Sequence, residues 1–596
     1  MGDTLSKITN NILNLVTSIS LLLLVYSLFV LRGIQPEGYT TNIYEQLPFH
    51  FFLTLLFCFF LACIMLLAYR KMSAVLILFL VHITVLIIPY MLGYVSVGRG
   101  EEFSYMGVLG ESGLFGLSNI SPTGPLFVSA LALVSGLEPW ALSYFLPVLF
   151  SILFIIGMFL FYRVFMSREK LVSVAFLSSL IPYFGHFQVS TFPYYLCFCL
   201  VPLYLFVLRN ALAAKNRAMA VCLLFMIPLL PLSHPFIFAY LICFSLSLAV
   251  SGTMLKTGFL RKILSLNFLS LSSFHSAGIK VPVFIFLSFT SGGFLLCAKY
   301  APHFFDVFLS TLAWRTETLM TAGLSRVPET EGNFFEFVHL FNLYYGKYYI
   351  PLIFIVINSV IVWQNRKRFC HHFVRRYPRF LILYISTFFL ELVFLLNPFI
   401  PYPPDRFANL SFIIFAQIPL LGYSLYVIFL RKGYTLGLGS AVMIICLLWA
   451  LGFFTCFSSP YTGGISEAVS QNEVNGIQWL SGVNKNYPYV MSLGEEDGSN
   501  ALTGNFSSNL NISAEFADIS GRPIYTSKNN SKGIVPLERP AESKPFYLVV
   551  TTFSEALNLN KRESGRTPVS TENAQTGYPV HKIYDSLNIE IYEHNP

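Results

Sequence analysis

Ala74-Val-Leu-Ile-Leu-Phe-Leu-Val-His-Ile-Thr-Val-Leu-Ile-Ile-Pro-Tyr-Met-Leu-Gly-Tyr94 runs into Val97-Gly-Arg-Gly-Glu-Glu-Phe-Ser-Tyr-Met-Gly107, and the reading of this stretch decides the fold. Its first part is apolar and as long as the roughly 20 residues that cross hydrocarbon as a helix. A guanidinium and two carboxylates, Arg99, Glu101 and Glu102, follow at once, in a chain of which only 11% is charged. Gly98 and Gly100 bracket the arginine and let the backbone turn sharply. Charge concentrated where a span leaves the bilayer points to chemistry at the membrane edge. The plain alternative is a solvated loop with headgroup anchors.

Working outward, the remainder is of the same material. The 596 residues are 55% hydrophobic, with 60 Phe, 33 Tyr and a mean hydropathy of +0.64, more apolar surface than a soluble domain uses. Runs of spanning length are expected at about 12–31, 49–69, 74–95, 140–162, 171–188, 190–208, 217–233, 235–251, 281–298, 348–363, 380–397, 409–430 and 435–457. The expected fold is thus a polytopic α-helical membrane protein with about thirteen transmembrane helices. The alternating pattern of an outer-membrane barrel is absent. Ile12–Leu31 is followed by no small-residue cleavage site and reads as a retained span. The ten cysteines show no metal spacing, and the segment after Ser458 has none, so no disulfide framework is expected there.

Basic residues set the orientation, because Lys and Arg stay cytoplasmic. Arg70-Lys71, Arg163/Arg168/Lys170, Arg209/Lys215/Arg217, Lys256/Arg261/Lys262, Arg366 through Arg379, and Arg431-Lys432 fall on alternate connections. One orientation satisfies all six: a cytoplasmic amino terminus, with the acidic stretch, His186, His234, Asp405-Arg406 and the carboxy-terminal segment outside. It requires that Pro125–Leu137, too short to span, lie in the external interface as a helix. A transmembrane domain of 1–457 is expected, carrying a first external loop at 96–139 and a long external loop at 299–347.

Residues 458–596 differ in kind, with 15 acidic against 10 basic residues, while the membrane part is strongly basic. A short helix is predicted over Asn472–Leu480, with Asn472 as its cap. Strands are predicted at Tyr489–Leu493, Phe546–Thr552, Val580–Tyr584 and Ile589–Tyr592, with Asp585–Asn588 as a hairpin turn and Glu495–Lys544 as a long polar loop. These describe an external α/β domain. Sequons at Asn119, Asn505, Asn511 and Asn529 agree with an external position.

Several polar groups converge on the face assigned as external. Adjacent side chains diverge, so one of Glu101 and Glu102 can meet a substrate while the other points away. A carboxylate there can take a proton from an attacking hydroxyl or hold a divalent cation such as Mn or Mg. Arg406 and Arg99 offer the forked, charge-assisted donors that suit phosphate, and His234 offers a further donor. Asp405, Glu391 (an acid inside a span) and His186 are supporting candidates. His82 reads as an interior histidine with a partner. No phosphate-binding G-x-x-x-x-G-K-[ST] is present, which argues against an ATP motor, and no H-E-x-x-H or G-x-S-x-G stands on a suitable element, so zinc protease and serine hydrolase readings lack support. Nothing points to nucleic acid.

With these residues in place, the chain resembles the GT-C glycosyltransferases, which use polyprenyl-phosphate-linked sugars. Gly98-Arg-Gly-Glu-Glu-Phe-Ser-Tyr-Met-Gly107 is similar to the G-R-x-D corner of archaeal members. Asp405-Arg406 before a late span is similar to their late external arginine, and the Asn472–Leu480 helix and Lys582–Tyr592 hairpin to their tails. Here the acidic corner follows the third predicted span rather than the first, the pair is Glu-Glu, and no W-W-D-Y-G is present, which argues against an oligosaccharyltransferase that reads sequons.

The resemblance implies an inverting transfer from a polyprenyl-phosphate-sugar, drawn from the surrounding membrane lipid, to a saccharide, lipid or protein acceptor. Glu101 or Glu102 would serve as base or cation ligand, and Arg99, Arg406 and His234 would meet the donor phosphate. A transporter or flippase of lipid-linked saccharides, or a non-catalytic carbohydrate-binding scaffold, would use the same charged membrane edge.

Overall fold

The computed structural model of the chain describes residues 2–34, 38–98, 131–137, 139–166, 169–191, 193–213, 217–233, 241, 349–364, 384, 387–388, 411–430, 435–462, 466, 468–482, 489–492, 524–526, 529–530, 533–534, 546–552, 580–586 and 589–594. The described helices are α1 (Gly2–Gly33), α2 (Phe49–Tyr69), α3 (Met72–Met91), α4 (Pro139–Phe165), α5 (Glu169–Ser179), α6 (Pro193–Ala213), α7 (Arg217–Ser233), α8 (Tyr349–Gln364), α9 (Ser411–Leu425), α10 (Thr435–Thr455) and α11 (Gln471–Gly482). Among the described residues, five stretches are long and apolar enough to cross a membrane: Ile8–Gly33, Phe49–Tyr69, Met72–Met91, Tyr144–Arg163 and Leu436–Thr455.

Both faces of these helices are apolar. Phe51, Leu55 and Phe59 of α2 turn inward and are buried, while Phe49, Leu53 and Phe57 stay exposed. On α10, Trp449 is fully buried and Met443, Leu447, Leu451 and Phe454 face out. An outward surface of this composition is unfavourable in water and matches hydrocarbon. The protein is a membrane protein.

Inside the bundle, α1 packs on α2 and α3, α10 on α2, α4 on α6, and α5 on α9. Phe59 stacks on Trp449 with ring centres 5.0 Å apart, and Phe198 stands edge-on to Phe184 at 4.2 Å. Small residues set the closest approaches: a Cβ added to Gly422 of α9 would lie 2.8 Å from the Cα of Ala175 in α5. Of the buried polar groups, His82 Nε2 lies 2.7 Å from Ser151 Oγ. Asn358 of α8 donates through Nδ2 to the Gln417 carbonyl oxygen at 3.1 Å, and Gln417 Nε2 donates to the Tyr384 hydroxyl at 2.9 Å. Hydrogen-bonded pairs are the form in which polar groups persist at such depth.

One expected span is corrected. The run 171–188 is not a single helix: α5 stops at Ser179, having 11 residues and so about 16 Å of length, half of a hydrocarbon core. Pro182 cannot extend the helix and disfavours helical backbone at Ile181. Gly185 then takes a positive φ of 60°, and a 3-10 turn forms over Gly185–Gln188. This irregular backbone is buried by protein, and the Tyr183 N–H donates to Gln188 Oε1 at 3.2 Å. Non-helical chain at membrane depth is tolerated only under such cover. The expected spans 235–251, 281–298 and 380–397, and the expected external loop 299–347, lie wholly or mostly outside the described residues. Of the expected interfacial segment 125–137, residues 131–135 are helical and Gly136 closes them at φ 67°, with Leu133, Val134 and Leu137 exposed.

The bundle has two distinct ends. At one, Arg70 pairs with Glu169, Lys71 Nζ donates to Asn14 Oδ1 at 3.3 Å, and α4 finishes with Arg163 in its last turn. At the other, the last turn of α3 is tied to the loop after α5, where the Tyr90 hydroxyl donates to the Val189 carbonyl oxygen at 3.0 Å.

Beyond α10, α11 covers a five-stranded mixed sheet. Its strands are β3 (Tyr489–Ser492), β4 (Ile524–Thr526), β7 (Phe546–Thr551), β8 (Val580–Ser586) and β9 (Ile589–His594), in the order β4-β3-β7-β9-β8. β3 runs parallel to β4 and β7, and β9 runs antiparallel to β7 and β8. A Cβ at Gly476 of α11 would stand 2.5 Å from Ile589, so only glycine lets the helix sit this close. The β8–β9 pairing continues through Asp585↔Glu590 to Ser586↔Ile589, which places Asp585 and Ser586 in the strand rather than in the expected turn. The expected polar loop 495–544 contains β4 and a small ladder of β5 (Asn529–Asn530) with β6 (Gly533–Ile534).

Candidate functional site

The chain approaches Arg99 through a short strand. α3 ends at Met91, Gly93 turns the backbone at φ 87°, and β1 (Tyr94–Ser96) forms with all three residues buried. Its partner is β2 (Val469–Ser470), antiparallel, with Tyr94 opposite Ser470 and Ser96 opposite Val469. Val95, Val469 and Val474 pack together beneath the pair. The root of the acidic stretch is therefore built from two segments very distant in sequence.

Three sets of hydrogen bonds hold this root. The Tyr94 hydroxyl donates to the Gly38 carbonyl oxygen at 3.2 Å and takes the proton of Thr40 Oγ1 at 3.1 Å. Burial pushes the Tyr94 phenol above its ordinary range, the bond from Thr40 pulls it back, and the Glu473 carboxylate raises it again. Ser96 Oγ donates to the Gly98 carbonyl oxygen at 2.9 Å and faces the Gly98 N–H at 3.4 Å, fixing the backbone one residue before Arg99. Ser470 caps α11: the Glu473 N–H donates to Ser470 Oγ at 3.3 Å, and the Ser470 N–H donates to Glu473 Oε2 at 2.9 Å. This reciprocal pair is a capping box, and Glu473 is 1% exposed. The helix cap is thus Ser470, not Asn472, and Ser470-Gln-Asn-Glu473 carried that signal in the sequence.

The loop between α1 and α2 completes the frame. Asn42 caps a 3-10 turn over Ile43–Gln46 by accepting the Tyr44 N–H at 3.2 Å. The Tyr44 hydroxyl donates to the Phe453 carbonyl oxygen at 2.6 Å and accepts the Phe457 N–H at 3.0 Å, closing the carboxy end of α10. Tyr39 donates to the Ser466 carbonyl oxygen at 2.6 Å, and the Ser466 N–H donates to Thr41 O at 2.9 Å. The ends of α3 and α10, the α1–α2 loop and the entry to α11 are joined in one hydrogen-bonded collar.

Of the candidate residues read from the sequence, His186 falls within the described chain. It lies half-buried in the 3-10 turn Gly185–Gln188, its ring centre 4.2 Å from that of Phe187. The bond from Tyr90 to Val189 brings this turn to the bundle end from which β1 leads toward Arg99. Arg99, Glu101, Glu102, His234, Glu391, Asp405 and Arg406 lie outside the described residues. Among the described residues no group of three His, Cys, Asp or Glu side chains has the spacing to hold a metal.

No family model matches the chain, and no curated protein sequence matches it. Solved structures similar to the chain at low identity include the following two. One is the archaeal oligosaccharyltransferase AglB of Archaeoglobus fulgidus, in complex with an inhibitory peptide and a dolichol-phosphate. It is 12% identical, with 87% of this chain and 74% of that chain covered and a TM-score of 0.42. The other is ArnT of Cupriavidus metallidurans, bound to undecaprenyl phosphate, 11% identical, with 88% and 98% covered and a TM-score of 0.43. At these scores the likenesses establish neither family nor fold.

Proposed function

We propose that this protein is a membrane glycosyltransferase of the GT-C kind, which moves a sugar from a polyprenyl-phosphate donor to an acceptor hydroxyl with inversion at the anomeric carbon. The observation that carries the reading is the framed entry to the acidic stretch. Buried β1 and the Ser96–Gly98 clamp end one residue before Arg99, at the bundle end opposite Arg70, Lys71 and Arg163. Basic connections stay cytoplasmic, so the acidic end faces outward.

At that face, Glu101 or Glu102 takes the proton of the acceptor hydroxyl as its oxygen attacks the anomeric carbon. The bond from that carbon to the phosphate oxygen breaks on the opposite face. Negative charge grows on the departing lipid phosphate, where Arg406, Arg99 and His234 supply fixed positive charge and donors. The carboxylate pair also suits a divalent cation, which would supply further charge stabilisation when bound. The 458–596 segment is read as an external α/β domain.

Transfer by purified protein decides the matter. Given a polyprenyl-phosphate-sugar and an alcohol acceptor, the expected product is a new glycoside of inverted configuration together with free polyprenyl phosphate. A lipid-linked sugar that only crosses the bilayer of proteoliposomes, unchanged, would make the protein a flippase instead.

A further inference from the structure

We infer that Glu473, far from the acidic stretch in sequence, is a positioning residue for it: the carboxylate fixes the direction in which the chain leaves Gly98 for Arg99. The word positioning rests on the glycosyltransferase reading; the mechanical link does not.

The link runs through consecutive contacts. Glu473 Oε2 accepts both the N–H of Ser470, at 2.9 Å, and its hydroxyl, at 3.2 Å. Ser470 is thereby held in β2, opposite Tyr94 of β1. Tyr94 is fixed at its other end by Gly38 and Thr40. Two residues on, Ser96 is 2% exposed and grips the Gly98 backbone through its hydroxyl.

A two-residue strand has almost no pairing energy of its own, so β2 persists because α11 is capped onto it. A carboxylate buried to 1% exposure is costly unless its hydrogen bonds are used, and two that it accepts come from Ser470 of the strand paired with β1. Catalytic groups need placement to within a fraction of an ångström, and a small displacement of the backbone ahead of Glu101 and Glu102 lowers turnover more than donor affinity.

The test compares Glu473→Ala, which empties the capping box, with Glu473→Gln, whose side-chain carbonyl still accepts the Ser470 N–H. Two measurements are made on the full-length protein in detergent: the rate of tryptic cleavage after Arg99, followed by mass spectrometry, and the steady-state constants for sugar transfer. Expected for Glu473→Ala are cleavage at least fivefold faster and kcat at least tenfold lower, with donor KM within twofold. For Glu473→Gln both stay within threefold of the parent.

Unchanged cleavage in Glu473→Ala overturns the link, whatever the protein catalyses. Faster cleavage in a protein whose parent form transfers no sugar upholds the link and removes the glycosyltransferase reading. If Glu473→Ala does not accumulate, Ser96→Ala removes only the Gly98 clamp and carries the same expectations. Parent-like cleavage and kcat in that variant overturn the inference.

Discussion

Gly452 of α10 lies against Pro182 so closely that a Cβ at position 452 would stand 2.3 Å from the Pro182 carbonyl oxygen. The contact lets the end of α10 seat on the irregular backbone after α5. Gly452→Ala must push one of them aside, at a cost of about 1–3 kcal/mol. Gly439, on the same helix, has nothing within 4 Å of such a Cβ. Gly439→Ala should therefore stabilise slightly, by up to about 1 kcal/mol, because alanine is the better helix former. Thermal unfolding in detergent should move in opposite directions for the two variants, and a parallel shift would refute the close packing.

The Tyr44 hydroxyl serves both the Phe453 carbonyl and the Phe457 N–H. Tyr44→Phe takes the acceptor from the buried Phe457 N–H and one of two donors from the Phe453 carbonyl, which also accepts the Cys456 N–H, and should cost about 1–3 kcal/mol. Burial raises the Tyr44 phenol well above its ordinary value, with the Cys456 thiol adding to the rise. The folded protein thus keeps this proton where the unfolded chain has lost it. Stability from this group is whole below about pH 10 and declines as pH rises through the unfolded phenol value toward the folded one. The fall of melting temperature between pH 10 and 11 should be shallower in Tyr44→Phe than in the parent, and an identical slope would exclude Tyr44 as a source of base sensitivity.

Glutamine substitution separates the two acids of the corner. If one removes the acceptor proton, its Gln variant should lose roughly 100- to 10,000-fold in transfer rate. The other should change little, because adjacent side chains diverge. Glu102 is expected to be the severe position. Full activity in a stable Glu101→Gln/Glu102→Gln double variant would clear the corner of any catalytic part.

Arg406 is expected to grip the leaving phosphate in a paired geometry that lysine cannot reproduce. Arg406→Lys should lower transfer at least tenfold despite the preserved charge. An arginine that only reaches toward lipid headgroups would be replaced by lysine without loss, and undiminished transfer would take it out of the site.

A cysteine introduced at Ser508 should react with an impermeant thiol reagent in intact cells, while native Cys370 should not. Labelling of Cys370 alone would invert the orientation and move the acidic corner to the cytoplasmic face.

The long apolar runs were legible because composition alone separates them from solvent-facing chain: Phe49–Tyr69 stands where the hydropathy put it, and Met72–Met91 starts two residues before and ends four before the expected 74–95. The run at 171–188 misled because its apolar character outlasts the helix, and Ile181-Pro182 marked the stop. Four strands of the carboxy-terminal sheet showed as short β-branched and aromatic runs, whereas β4 lay in the stretch read as a polar loop. β1 and β2 did not show, since three and two residues are too few for a period. The capping box at Ser470 was present as a signature but was displaced by the neighbouring Asn472. Residue chemistry nominated acids and arginines that lie outside the described residues, whereas the collar around the chain up to Gly98 depends on Tyr39, Tyr44 and Tyr94. These tyrosines resemble ordinary interface aromatics until their partners are known.

The pairing of β1 with β2 also dictates an order of assembly during synthesis. At usual elongation rates, on the order of tens of seconds separate the emergence of Tyr94–Ser96 from that of Val469–Ser470. Throughout that interval β1 lacks β2, although Gly38 and Thr40, which hold the Tyr94 hydroxyl, have already been made. A nascent chain halted before Val469 can insert its spans yet cannot close the frame ahead of Arg99. The frame ahead of Arg99 is thus completed only after the ribosome has passed α10.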